Sequence, residues 1–377
     1  MRIVHICQYF QENMSYQENL LPKFHSKLGN EVILVTSDRE FRFNNNMHNR
    51  IIGCEDKVID NYRIIRLPIK FELINKFAQF ENLNSILCDL KPDLIYHHGL
   101  TSPSIFTCVN YKKRYGCLLK VDCHTDIKNS MIGFKGKMYH KYMWKPILKN
   151  IQKYFDGIDY VAPSSLEFLK EVYKLDEKLF NFTILGGDPD ILEYAKTYRK
   201  YIREEYRINN NEIVLIHCGK LDKFKKTKEL LLAFKDLDID CKLMIIGSIN
   251  KDYEDEIKKY LDDSRIIFVG WKNSSKMLEY FCAGDALIQP GSLSAIFQNA
   301  MCCGIPVILN NTSMGEYLTE DDCGILVDGN SISSIKQGIL EFIERPNYYR
   351  SNCIKYAISK VSYNEIAKKT LEIKKRS

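Results

Sequence analysis

The sequence predicts an α/β protein made of two doubly wound domains that face each other across a cleft. Short hydrophobic runs alternate with helically spaced segments through both halves, and glycine or a polar cluster punctuates most strand ends. A polar, charged stretch at 190–211 separates the two series and reads as the crossing between domains. The length of 377 residues points the same way, since single domains rarely exceed about 250–300 residues.

Composition narrows the class. The chain is 45% hydrophobic and 27% charged, ordinary values for a globular protein, and no run approaches the ~20 apolar residues that cross a bilayer. Met1-Arg2-Ile3-Val4-His5-Ile6 reads as a buried first strand rather than a signal peptide. Thirteen scattered cysteines with no C-x-x-C spacing fit free thiols in a reducing cytoplasm better than a disulfide framework or a zinc site. A net charge of +6 is too mild for a dedicated nucleic-acid binder.

In the first half, a polar loop follows the first strand, a helix runs from Tyr16 to Leu28 and closes at Gly29, and 31–36 is a second buried strand. This βαβ unit implies a parallel sheet, whose ligands bind at the strands' C-terminal ends, so the loop 8–18, with Tyr16 and Gln17, falls at an active edge. Residues 38–57, with Asn44-Asn45-Asn46, read as a long flexible loop, 62–69 as a strand and 80–90 as a helix. Strand 93–96 ends in His97-His98-Gly99, a second-rank site candidate, and strand 118–122 ends in Cys123-His124-Thr125-Asp126. His124, between Asp122 and Asp126, faces the expected cleft.

From 131 to 155 the chain turns basic and aromatic. Lys137, Lys141, Lys145, Lys149 and Lys153 recur every four residues among Phe134, Tyr139, Tyr142, Trp144 and Phe155, and Pro146 is expected to split the segment into two helices. The plain reading is a solvated helix face; the sharper one is a patch held against anionic lipid head groups, at the inner face of the cell membrane.

The second half repeats the pattern. Strand 212–217 leads into Gly219-Lys220-Leu221-Asp222-Lys223-Phe224-Lys225-Lys226, and further strands at 242–246, 265–269 and 286–288 alternate with helices. The stretch 289–310 follows as strand end, tight Pro290-Gly291 turn, helix, Gly304 stop and buried strand. A glycine-led loop feeding a helix offers free N–H groups that suit a phosphate, although an ordinary connection has the same shape. Asp236-x-Asp238-x-Asp240 reads as a solvated turn, not a metal clip, and 362–375 as a helical tail.

These residues resemble those of the retaining GT-B glycosyltransferases of family 4. Gly219-Lys220 through Lys225 is similar to that family's G-R-x-x-x-x-K loop, and Asn299-Ala300-Met301-Cys302-Cys303-Gly304-Ile305-Pro306-Val307-Ile308 to its E-A-M-A-C-G-x-P-V-I. Gly186-Gly187-Asp188 resembles the N-G-V-D before its linker. The resemblance implies two Rossmann-like domains, 1–190 for the acceptor and 191–360 for the nucleotide sugar, with the helix at 361–377 packing back on the first. It implies transfer from a UDP- or GDP-sugar to a glycan or lipid-linked acceptor, as in bacterial surface polysaccharide assembly, with retained configuration and without metal or other cofactor.

By the same resemblance, His124, Lys220 and Lys225 take catalytic roles. Gly219, Lys226, Gly291, Ser292, Leu293, Ser294, Gln298, Asn299 and Glu316 would hold the donor, and Asp126, Tyr16 and Gln17 the acceptor side. The family's paired glutamates are replaced by Gly291 and Asn299, which motivates an alternative, a catalytically silent GT-B binding partner. A sugar-nucleotide epimerase is a third, more distant reading.

Overall fold

The computed structural model describes residues 1–40, 50–73, 77–292, 294 and 296–373. The chain forms two compact α/β units. The first comprises Met1–Glu12, Tyr16–Ile184 and Ile366–Ser377, the second Asn13–Ser15 and Leu185–Glu365.

The first unit is built on an eight-stranded sheet. In spatial order its strands are Phe180–Phe182, Gly157–Tyr160, Leu118–Cys123, Leu94–His97, Arg2–Ile6, Glu31–Ser37, Tyr62–Leu67 and Asp56–Ile59. Every pairing is parallel except the last, a hairpin. Runs such as Val32 to Ser37 are buried throughout, as expected for a sheet covered on both faces. One face carries a core around Val4, Ile95, Val121, Trp144 and Phe168.

The second unit holds six parallel strands in the order Ile266–Phe268, Cys241–Ile246, Ile213–Cys218, Ala286–Gln289, Val307–Asn310 and Gly324–Val327. Numbered along the chain this order is 3-2-1-4-5-6, the doubly wound Rossmann arrangement. The chain direction across the sheet reverses between Ile213–Cys218 and Ala286–Gln289, so the loops leaving these two strands border the switch-point crevice.

Several local readings need correction. The helix expected from Phe80 begins at Leu83, because Phe77–Phe80 is a strand paired with Ile69–Leu73. Asn82, at φ 55°, separates strand from helix. Within 190–211 lies the helix Ala195–Glu205, whose buried Arg203 donates to Asp285 at 2.8 Å and to the Ala283 carbonyl at 3.0 Å. Its polar sequence hides an anchor inside the second unit. Pro146 breaks no helix: it falls in the first turn of Lys145–Ile151, preceded by a wide π-type segment, Met138–Trp144. Of the loop expected at 38–57, residues 41–49, including its asparagine run, lie outside the described residues, and its end at Asp56 already opens the strand Asp56–Ile59.

The last helix, Tyr363–Leu371, joins the first unit from Ile366 onward. There the fully buried Lys120 donates to the carbonyl oxygens of Thr370 at 2.7 Å and Glu372 at 3.3 Å. These groups would otherwise be unpaired helix-end acceptors.

Candidate functional site

In the second unit, the loop after Cys218 starts at Gly219, whose N–H donates to the Ile246 carbonyl at 2.9 Å. The Asp222 carboxylate then accepts the N–H groups of Phe224 at 2.9 Å and Lys225 at 3.2 Å, fixing a tight turn. Lys226, at φ 57°, ends that turn and the helix Thr227–Lys235 begins. Under it, the buried His217 bridges the Ile288 carbonyl and Thr227 Oγ1, both at 2.9 Å. Burial holds that imidazole neutral, at a pKa of about 4.

This turn is stitched to the Pro290-Gly291-Ser292 loop in both directions. Ser292 N–H donates to the Phe224 carbonyl at 2.7 Å, and Lys225 Nζ donates to the Ser292 carbonyl at 2.7 Å. Gly291 makes the close approach possible: a Cβ there would lie 2.2 Å from Phe224 O and 2.4 Å from Lys225 C. The residue standing at the position of the family's first glutamate therefore has no room for a side chain in this arrangement.

Of the loop's four lysines, Lys220, Lys223, Lys225 and Lys226, Lys225 is the buried one, at 9% exposure. Burial lowers its pKa, with Cys218 and Asp222 opposing. An ammonium has three N–H donors, so the bond to Ser292 leaves two for a ligand. Lys220 is exposed, and Lys226 pairs with Glu229 at 3.2 Å. Ser292, Ser294 and Glu316 are exposed; Leu293 lies outside the described residues.

The helix Ile296–Cys302 follows the turn and carries Gln298 and Asn299, both buried. Gln298 Oε1 and Asn299 Oδ1 have no hydrogen-bond partner among the described residues, nor do Oε1 and Nε2 of the fully buried Gln289. An unpaired buried amide costs roughly 1–3 kcal/mol, so these atoms mark where a polar ligand would restore bonding. Gly187 packs against this helix: its Cβ would stand 2.5 Å from Gln298 O. Sequence reading missed Gln289 and His217, which sit inside runs that look like plain strand.

In the first unit, His124 lies just past strand Leu118–Cys123 with a side chain 41% exposed. Its Nε2 is 3.5 Å from Asp122 Oδ1, and this buried carboxylate raises the imidazole's pKa against the opposing effect of desolvation. Asp122 is held strongly ionised despite its burial by its interactions with His124 and His98, and it accepts Gly99 N–H at 2.6 Å. Asp126 instead caps the short helix Ile127–Ser130, bonding Asn129 through both oxygens at 2.8 and 2.7 Å. Gln17 is buried, its Nε2 3.5 Å from Tyr96 OH, while Tyr16 is exposed as the preceding cap.

Two Rossmann-like units of this kind are those of the GT-B transferases. Residues 199–360 match the family model described as Glycosyl transferases group 1. An uncharacterized glycosyltransferase of Methanocaldococcus jannaschii is 28% identical over 255 residues, covering 64% of this chain and 62% of its own length. N-acetyl-alpha-D-glucosaminyl L-malate synthase of Bacillus anthracis is 22% identical over 338 residues, covering 86% and 82%. Among solved structures, Anabaena HepE in complex with UDP superposes with a TM-score of 0.67 at 15% identity, covering 98% of each chain. Together these matches support an enzyme of the glycosyltransferase class.

Proposed function

We propose that the chain moves a sugar from a UDP- or GDP-sugar to a hydroxyl of a glycan or lipid-linked acceptor, with retention of configuration. The second unit takes the donor and the first the acceptor. The observation that carries this reading is the buried Lys225 cation, locked to the 291–292 turn, whose following helix carries the unpaired amide oxygens of Gln298 and Asn299. The HepE complex supports UDP as the nucleotide.

In the reaction the acceptor oxygen bonds the anomeric carbon while that carbon's bond to the diphosphate oxygen breaks. The diphosphate leaves with the electron pair and takes the acceptor's proton, so no protein nucleophile is needed. Lys225, Lys220 and loop N–H groups offset the charge growing on the leaving group, which lets the step proceed without a metal. The Gln298 and Asn299 amides bond donor hydroxyls, and His124 contacts the sugar near the reacting carbon.

Purified protein given UDP- and GDP-sugars should release the nucleoside diphosphate, faster when a hydroxyl acceptor is present. The closed position at Gly291 favours a second reading, a GT-B protein that binds without turnover. Nucleotide binding without release under any acceptor would establish that reading; an absence of binding would defeat the donor site itself.

The lipid-linked acceptor, a role in bacterial surface polysaccharide synthesis and a position at the membrane's inner face rest on the segment 131–155. Ile132, Phe134 and Tyr142 are 70%, 76% and 62% exposed, and Lys135, Lys137 and Lys141 are exposed among them. No helix among the described residues is long and apolar enough to cross a membrane. An apolar and basic surface of this kind would seat in an anionic interface. The protein should co-sediment with phosphatidylglycerol vesicles and not with phosphatidylcholine, and Phe134→Ser with Ile132→Ser should weaken this at least several-fold. Equal binding to both vesicles would refute the electrostatic part.

A further inference from the structure

Behind His124 a line of imidazoles crosses the first unit. Asp122 Oδ2 is 2.9 Å from His98 Nδ1, and His98 Nε2 is 3.1 Å from His5 Nδ1. His5 Nε2 is 3.0 Å from His25 Nδ1, and His25 Nε2 is 2.8 Å from Thr370 Oγ1 on the last helix. His5 and His25 are fully buried, and burial lowers the proton affinity of both, His25 to a pKa of about 3.

With His5 and His25 kept neutral by burial, proton counting leaves this line two states. His98 must present Nδ1–H to the Asp122 carboxylate. If His98 is neutral, its bare Nε2 needs Nδ1–H of His5, whose bare Nε2 needs Nδ1–H of His25, whose bare Nε2 needs the Thr370 hydroxyl proton. If His98 carries a second proton on Nε2, every bond beyond it reverses. His5 and His25 then hold their protons on Nε2, and His25 donates to Thr370 Oγ1 or to the Ala367 carbonyl at 3.2 Å. The Thr370 hydroxyl turns to Ala367 O at 2.9 Å. Both states leave no ring nitrogen unpaired, and they differ by one proton.

We propose that His98, His5, His25 and Thr370 form a tautomer relay, in which a proton gained at His98 reverses the tautomers of His5 and His25 as far as the last helix. His98 and Thr370 are thereby positioning residues for Asp122 and, through it, for His124. The relay stands on its own geometry; its bearing on transfer rests on the reading of His124 given above. The other titratable groups facing it are Tyr96, His97, Lys120 and Cys7, with Glu18 towards His124.

The test is ¹⁵N NMR of the imidazole nitrogens in the full chain across pH. In the wild type, His5 and His25 should pass together from the Nδ1–H to the Nε2–H form as pH falls. A tautomer fixed in either ring throughout would overturn the relay. Thr370→Val removes the hydroxyl donor that the neutral state requires but leaves Ala367 O for the reversed state. It should raise the pH of reversal by about one unit, the size of one lost hydrogen bond. Because the reversed state puts positive charge beside Asp122, the titration of His124 should move down in the same variant. Thr370→Ser should restore both values. Reversal that shifts while the His124 titration stays put, or a Ser variant that behaves like Val, would overturn the positioning role. Both readouts are spectroscopic, so a failure to transfer sugar would strike the proposed function and leave the relay standing.

Discussion

Lys120→Met is expected to destabilise the first unit by about 3–5 kcal/mol, the usual cost of leaving one partner of a buried ion pair alone. Lys120 Nζ lies 3.1 Å from Asp159 Oδ1, and both side chains are fully buried. Among the described residues, Asp159 keeps Tyr96 OH at 3.1 Å and Asn181 Nδ2 at 3.2 Å as neutral side-chain donors. Burial already pushes its pKa upward, and Lys120 is the strongest opposing influence. The same substitution strips the Thr370 and Glu372 carbonyls of their donor, so the last helix loses its seat. Fully buried Trp144 belongs to this unit and exposed Trp271 to the other, so tryptophan fluorescence in urea reports mainly on the first. Lys120→Met with Asp159→Asn should recover a large part of the loss. A single variant costing under about 1 kcal/mol would show that water reaches the pair and that the last helix is held elsewhere.

Lys225→Ala should cost ~2–4 kcal/mol of transition-state stabilisation, roughly a 30- to 1,000-fold fall in turnover. The lysine is prepositioned: its backbone is fixed by Asp222, its ammonium by Ser292, and its aqueous shell is largely gone. A charge held in this way meets the leaving diphosphate with little reorganisation. Lys220→Ala should cost less, since an exposed side chain must be ordered on binding. Arginine at 225 keeps the charge but not the compact ammonium beside Ser292, and should restore activity only in part. Turnover that survives the alanine change would remove Lys225 from the site.

The fold was legible where periodicity and punctuation agreed. The βα repeats around Glu31–Ser37 and Cys241–Ile246 announce parallel sheets because their strands are apolar on both faces. The Pro290-Gly291 turn could be read as a tight loop, although its contact with Phe224 and Lys225 could not, because a clash with a residue 67 positions away leaves no local trace. The helix Ala195–Glu205 was hidden by its own charge, since beside Ala195 and Ile202 its buried face includes Arg203 and its ion pair. The strand Phe77–Phe80 was lost to a helical pattern that Asn82 interrupts. His124 was visible as a residue at a strand end, and Lys225 through the resemblance of its loop to G-R-x-x-x-x-K. Asp122, His98 and Ser292 stood among the residues named there, but the bonds by which they set the chemistry of His124 and Lys225 left no trace in the sequence. Gln289 gave no signal, because a polar residue closing an apolar strand usually reads as the start of a turn.

The most direct test of the donor site is a calorimetric titration of the full chain with UDP and with GDP, repeated on Lys225→Ala and Asn299→Leu. One of the two nucleotides should bind the wild type, and each substitution should weaken that binding by at least tenfold. Equal affinity in all three proteins, or no binding of either nucleotide to the wild type, would contradict a diphosphate held at the Lys225 turn.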